Sequence, residues 1–240
     1  MSASNLKVQI WRGDTEGEFR EYEVPRQDSQ TILDVVTWVQ RKLDPTLSYR
    51  FACRVGMCGS CAMTVNGRPR WTCRTHVSRV AEDGVVRIEP LRNLPIIKDL
   101  AADLTPFFEK WQGARGRFEG SRSRHQAIPT VLPSDPKRVA ASAAIECINC
   151  AVCYSACDVV NWQEEYLGPA ALNRAWAAYN DERDRNPLGV LKAVAAGGGC
   201  GSCHAHQSCV EHCPAELNPT ESIAGLKRVS LQALLKGELR

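Results

Sequence analysis

Leu6, Val8 and Ile10 are separated by polar positions, the period-two pattern of a half-buried strand. A second strand is expected over residues 19–24, ended by Pro25. The period then changes. Ile32, Val35, Val36, Val39 and Leu43 mark one helix face, stopped by Asp44-Pro45. Residues 62–65 and 70–73 flank Asn66-Gly67, the pair that a type I′ hairpin turn prefers. Val86 and Ile88 predict a closing strand. Two strands, a helix and further short strands make a small α+β sheet domain over residues 1–103.

Residues 104–240 read as a helical domain. Gly168-Pro169 opens a segment in which Leu172, Ala175, Trp176 and Tyr179 keep helical spacing, and Asn186-Pro187 is expected to end it. Asn218-Pro219-Thr220-Glu221 predicts a helix start, with Asn218 as cap, Pro219 as first helical residue and Glu221 completing a capping box. Residues 110–124 are rich in Gly, Arg and Ser. Lys110, Arg115, Arg117, Arg122 and Arg124 face only Glu119 there, which reads as a solvated surface loop, the alternative being contact with anionic lipid headgroups.

The net charge of +3 is spread evenly over both halves and does not argue for nucleic acid. No apolar run approaches the roughly 20 residues of a membrane span, and residues 1–9 lack the apolar core of a signal peptide. The chain is therefore expected to stay cytosolic. Twelve cysteines in a reducing compartment point to metal or cluster ligation rather than a disulfide framework.

The cysteines fall in three runs. Cys53-x4-Cys58-x2-Cys61 with a distant Cys73 has the spacing of plant-type two-iron (2Fe-2S) ferredoxins. Three thiolates on one short loop need a backbone that stays close, which Gly56 and Gly59 permit. Backbone N–H groups can then stabilise the sulfurs. A zinc site normally uses a shorter CxxC pair and closed four-ligand geometry. Cys147-x2-Cys150-x2-Cys153-x3-Cys157 has the bacterial cubane spacing, whose fourth cysteine serves the other cluster. Cys147, Cys150, Cys153 and Cys213 would hold a four-iron (4Fe-4S) cluster, with Cys213-Pro214 as the matching partner. The third run, Cys203-x2-His206-x2-Cys209-x3-Cys213, repeats the motif with histidine in place of the second cysteine. Cys157, Cys203 and Cys209 suit a three-iron (3Fe-4S) cluster of raised potential. The competing reading makes His206 a ligand to a fourth iron. Cys200, after three glycines, reads as a free buried thiol. The last two runs form a loose duplication of one theme, and three redox centres on one chain imply electron transfer.

Four segments carry a resemblance over nearly the whole chain. They are Cys53-Arg-Val-Gly-Met-Cys-Gly-Ser-Cys61, Glu146-Cys-Ile-Asn-Cys-Ala-Val-Cys153, Gly168-Pro-Ala-Ala171 and Cys209-Val-Glu-His-Cys-Pro214. In these segments the chain resembles the iron–sulfur subunits of succinate dehydrogenases and fumarate reductases. The resemblance implies a β-grasp 2Fe-2S ferredoxin domain followed by an all-α, bacterial-ferredoxin-like domain. It implies a flavoprotein partner carrying FAD and a membrane anchor, often with haem b, where quinone binds. The chain would then sit at the cytoplasmic face of the inner membrane. Trp162 and His204 match the family's quinone-site positions, whereas each alone reads as a core aromatic and a surface histidine.

Two positions depart from the family. Asp158 stands where proline usually follows the cysteine matching Cys157, and a carboxylate there lowers a cluster's potential unless paired or protonated. His206 replaces a small apolar residue. Other classes are a soluble multi-cluster carrier, the iron–sulfur subunit of another flavoenzyme such as a glycolate oxidase, and a colourless zinc protein.

Overall fold

The computed structural model describes residues 5–239; Met1–Ser4, at the start considered for a leader, and Arg240 lie outside them. By contacts the chain forms two units. The first is the chain up to Leu104 together with Ile148–Ala156, and the second is Thr105–Cys147 together with the chain from Cys157. The linear boundary expected near residue 104 therefore has one exception. Residues 148–156 group with the first unit because Ser155 Oγ accepts from the Arg92 N–H at 2.8 Å and the Asn93 amide donates to the Tyr154 and Ser155 carbonyls.

In the first unit, β1 (Asn5–Arg12) and β2 (Glu18–Pro25) pair antiparallel, and helix α1 (Ile32–Lys42) follows. Strands β3 (Ala62–Val65) and β4 (Arg68–Trp71) form the hairpin turned by Asn66-Gly67, both at positive φ. Strand β5 (Val85–Glu89) runs parallel to β1 and antiparallel to β3, giving the sheet order β2-β1-β5-β3-β4. A two-stranded ribbon, β6 (Ile96–Lys98) with β7 (Ala101–Ala102), completes the unit. The alternating residues of β1 lie fully buried against Val35, Val36 and Val39 of α1. This mixed sheet with one packed helix is the expected β-grasp. A capping box starts α1, since Thr31 accepts from Asp34 N–H and Asp34 accepts from Thr31 N–H. The helix ends earlier than the apolar pattern suggested: Leu43 is its C-cap and is 46% exposed. Leu33, off the expected face, packs instead with Cys61 and Cys73.

Buried Arg12 closes the end of this sheet. Its guanidinium bonds Tyr22 Oη and Thr46 Oγ1 at 2.8 Å, contacts Asp44, and lies 3.1 Å from Asp99. Asp99 also accepts from the Gly13 and Ser48 N–H groups at 2.8 Å. Burial opposes the Arg12 charge, but its bonds to Tyr22, Asp99 and Asp44 outweigh that and raise its pKa. The Thr46 hydroxyl, then Arg12 and Tyr22, hold the Asp44 carboxyl well below the usual range.

The second unit is helical: α2 (Thr105–Gly113), α3 (Pro136–Ile145), α4 (Val152–Ser155, contributed to the first unit), α5 (Asp158–Trp162), α6 (Pro169–Tyr179), α7 (Pro187–Ala195), α8 (Ser208–Glu211) and α9 (Pro219–Leu235). Helix α6 is central, packing on α2, α3, α7 and α9. Small residues let the helices approach closely; a Cβ on Gly225 of α9 would stand 2.6 Å from the Trp176 ring. A satisfied polar node ties three helices, as the Asn173 amide donates to Ala144 O at 3.1 Å and accepts from Ser222 Oγ at 2.8 Å. Asn186-Pro187 does not end α6, which stops at Tyr179; it opens α7, with the Asn186 side chain accepting from Gly189 N–H. Asn218 caps α9 as expected, but Glu221 meets its side-chain amide, at 3.4 Å, to close the box. The Arg-rich segment is less free than a solvated loop. Its first residues finish α2, Asp184 accepts from Glu119 N–H, and Ser121 N–H donates to Arg183 O.

Three outcomes are expected. Arg12→Met should cost about 3–5 kcal/mol, because it strands buried Asp99, with Arg12→Lys recovering only part; thermal unfolding followed by circular dichroism checks this. Because the folded Asp44 pKa is depressed, its contribution is complete above the ordinary value of 3.8 and is lost as pH falls below it. Asp44→Asn should flatten that acid limb. In the second unit, Gly225→Ala should destabilise by about 1–3 kcal/mol through overpacking against Trp176.

Candidate cluster-binding sites

The loop before β3 is bent three times into the left-handed region, at Arg54 (φ 59°), Gly56 (77°) and Gly59 (70°). The bends turn N–H groups inward. Val55, Met57 and Cys58 donate to Cys53 Sγ at 3.4, 3.2 and 3.3 Å, and Cys53 N–H donates to Cys58 Sγ at 3.4 Å. Ser60 Oγ lies 2.9 Å from Cys58 Sγ. The Cys53 N–H, then the Ser60 hydroxyl, bring the Cys58 thiol down to about 6. Cys73 sits on a short 3₁₀ turn, Thr72–Arg74, whose Thr72 N–H and hydroxyl both donate to Cys61 O at 3.3 and 2.7 Å. Burial, then the Cys61 side chain, pushes Cys73 up to about 11. Cys61 and Cys73 are thus fixed in the protein, while Cys58 faces solvent among the exposed side chains of Val55 and Met57. Converging N–H donors suit anionic sulfurs, so the four residues fit a two-iron cluster.

Gly59 also serves the second run. A Cβ there would stand 2.5 Å from Cys150 Cβ and 2.8 Å from its Cα, so only glycine lets the first loop lie against this cysteine. Cys150 and Cys153 belong to the first unit, Cys147 and Cys213 to the second.

The second and third runs share a backbone pattern that the spacing only hinted at. Two and four residues after Cys147, Asn149 and Ala151 adopt φ of 56° and 61°; two and four after Cys203, Ala205 and Gln207 adopt 56° and 64°. Each second bend opens a four-residue helical turn, Val152–Ser155 or Ser208–Glu211, carrying the next cysteine, Cys153 or Cys209. His206 therefore occupies the backbone position that Cys150 has in the other run.

Within the second unit, Cys157 accepts from the Val160 and Val159 N–H groups at the start of α5, and burial is the main cause raising its pKa. Ala205 N–H donates to Cys203 Sγ at 3.4 Å, and Lys227 Nζ donates to Cys203 O at 2.6 Å. Cys209 Sγ lies 3.4 Å from Thr220 Oγ1, and burial pushes this thiol up to about 11. Tyr166 is 1% exposed, and burial first, then the Cys203 and Cys157 sulfurs, raises the phenol pKa. Tyr166 and Thr220 are neighbours of the sulfurs that sequence reasoning missed, because folding brings them there and they carry no motif of their own; Ser60 lies within the first cysteine motif, but the motif does not show its role.

Cys200 stands apart, 3.9 Å from Ser230 Oγ, with its thiol raised by burial. Trp162 is 68% exposed, not a core aromatic. Its ring meets that of His206 edge-on at 6.0 Å, and His206 lies 6.0 Å from His204, so the three rings share one surface patch. Asp158 is exposed, and its charge acts on Cys157. Among the described residues no group of three His, Cys, Asp or Glu side chains is arranged for a single metal ion.

Comparison with known proteins agrees with this donor chemistry. The family described as "2Fe-2S iron-sulfur cluster binding domain" matches residues 5–109, and the "4Fe-4S dicluster domain" matches residues 146–218. The fumarate reductase iron–sulfur subunit of Mycobacterium tuberculosis is 33% identical over 98% of this chain and 94% of its own length. That of Escherichia coli O157:H7 is 34% identical over 91% of this chain and 90% of its own. The mitochondrial succinate dehydrogenase [ubiquinone] iron–sulfur subunit 1 of Oryza sativa subsp. japonica is 32% identical over 96% of this chain and 84% of its own. A chain of the Mycobacterium smegmatis Sdh1 complex in the apo form superposes with a TM-score of 0.84 at 29% identity, covering 96% of this chain and 97% of that one. With a two-iron ferredoxin domain ahead of a dicluster domain and relatives matched almost end to end, the chain belongs to the family of succinate dehydrogenase and fumarate reductase iron–sulfur subunits.

Proposed function

We propose that this chain is the electron-transfer subunit of a membrane-bound succinate:quinone oxidoreductase, with fumarate reduction as the reverse direction of the same reaction. Substrate chemistry belongs to an FAD-bearing partner, and the quinone to an anchor that has haem b where the anchor carries it. No helix among the described residues is long and apolar enough to cross a membrane, so attachment at the cytoplasmic face falls to the anchor.

Cys53, Cys58, Cys61 and Cys73 would hold the two-iron cluster, and Cys147, Cys150, Cys153 and Cys213 the four-iron cluster. Cys157, Cys203 and Cys209 would hold a three-iron cluster. When bound, these groups supply one-electron carriers between a flavin and a quinone. The observation that carries the reading is the contact of Gly59 with Cys150, which lays the first cysteine loop against a ligand of the second run. Trp162 and His204 would form one wall of the quinone site, a reading supported by their exposure and by the shared ring patch.

Electron paramagnetic resonance of the oxidised, purified complex tests the ligand sets. A three-iron cluster is paramagnetic when oxidised, so a narrow signal is expected, lost in Cys203→Ser. Silence, with iron analysis giving two cubanes, would make His206 a ligand instead. For the quinone wall, Trp162→Ala and His204→Ala should each slow quinone reduction by about tenfold or more, ~1.4 kcal/mol of barrier. Succinate oxidation by a dye acting at the flavin should be unaffected. Unchanged quinone rates in both variants would remove these residues from the site.

A further inference from the structure

Two of the three cysteines assigned to the three-iron centre have a hydroxyl-bearing side chain beside the sulfur. Cys209 Sγ has Thr220 Oγ1 at 3.4 Å, and the buried Tyr166 phenol is near enough to Cys203 for that sulfur to raise its pKa. A metal-bound thiolate has no proton to give, so both hydroxyls must donate. Cys157 differs, because it is served by the Val159 and Val160 N–H groups.

Both hydroxyls are held by rigid surroundings. Thr220 is the second residue of α9, whose first turn is fixed by the Asn218 cap and by Ser222 bonding Asn173. Its β-branched side chain has few rotamers. Tyr166 is 1% exposed, with its N–H on Gln163 O at 3.1 Å and the next residue's N–H on Gly198 O at 2.8 Å. A Cβ at Gly198 would stand 2.2 Å from the Glu165 carbonyl, so only glycine lets the chain lie this close to the residue before Tyr166. Cys209 is 8% exposed, which leaves water little access to replace a lost donor.

Resting on the three-iron reading above, we propose that Thr220 and Tyr166 are positioning residues that raise the potential of this centre by donating hydrogen bonds to Cys209 and Cys203. One electron, supplied by the flavoprotein partner, enters the centre and increases the negative charge on its sulfurs. A fixed donor stabilises that reduced state more than the oxidised one, so removing it shifts the midpoint to more negative values.

The test is a redox titration of the oxidised-state resonance in the purified complex, comparing Thr220→Val, Thr220→Ser, Tyr166→Phe and the Thr220→Val/Tyr166→Phe pair. Thr220→Val and Tyr166→Phe should each lower the reduced-to-oxidised ratio at fixed potential by up to about tenfold, equivalent to a negative shift of about 59 mV for one electron. Thr220→Ser should keep the wild-type midpoint, and the pair should shift further than either single variant. Unchanged midpoints in Thr220→Val and Tyr166→Phe, with iron content intact, would overturn the proposal. If Thr220→Val does not assemble, Tyr166→Phe decides, because it keeps the ring that fills the site. A wild-type complex lacking the oxidised-state signal would overturn the three-iron reading itself, which is a different result from a signal whose midpoint ignores the hydroxyls.

Discussion

Gathering several thiolate sulfurs within reach of one small cluster concentrates negative charge where water is scarce, and the protein must answer that charge with its own donors. The answer here is backbone. Seven residues in the cysteine loops take positive φ: Arg54, Gly56 and Gly59 in the first, Asn149 and Ala151 in the second, Ala205 and Gln207 in the third. Five of them are not glycine, and the left-handed conformation costs a non-glycine residue about 1–2 kcal/mol. The bends are worth that cost in the first loop because they aim the Val55, Met57 and Cys58 N–H groups at Cys53, and the third uses Ala205 N–H on Cys203 in the same way. Thiolate–metal bonds, absent from the unfolded chain, are strong enough to hold such strain.

The two units give these loops different footings. In the first, β3, β4 and α1 form the support: Leu33 packs on Cys61 and Cys73, and Thr72 binds the Cys61 carbonyl. The Arg12 cluster holds the same sheet at the C-terminal end of β1, drawing Asp44 and Asp99 onto it from the loops after α1 and β6. In the second unit, a bundle of small residues around α6 sets the position of α9, and α9 in turn presents Thr220 to Cys209. A core change such as one at Gly225 thus acts on the cysteine loops only through helix position.

The three cysteine runs were legible because a cluster's size dictates how many residues may separate its sulfurs, and that constraint is local. The alternating strand of Leu6, Val8 and Ile10 and the Asn66-Gly67 turn were legible for the same reason. What could not be read is non-local or chemically ambiguous. Asn-Pro signals a boundary without its direction, and Asn186-Pro187 proved to open a helix. Leu43 fits the α1 face by spacing, yet the helix is over before it. Nothing about Ala151 or Gln207 announces a left-handed bend, and nothing in the sequence pairs Tyr166 with a cysteine thirty-seven residues later.

Asp158 and His206 are the two departures from the family's pattern. Asp158 brings a negative charge beside Cys157, which favours the oxidised centre, whereas Thr220 and Tyr166 favour the reduced one. Asp158 is exposed, so water and salt weaken its field over about 10 Å at 0.1 M ionic strength. Tyr166 and Cys209 are buried, while Cys203 and Thr220 are half-buried, and a hydrogen bond to a charged sulfur there is worth about 1.5–3 kcal/mol. Even this partial burial weights the hydroxyls above the exposed carboxylate. His206 adds a polar ring at the surface rather than in the bundle, against Trp162. Its effect belongs with whatever molecule covers that patch.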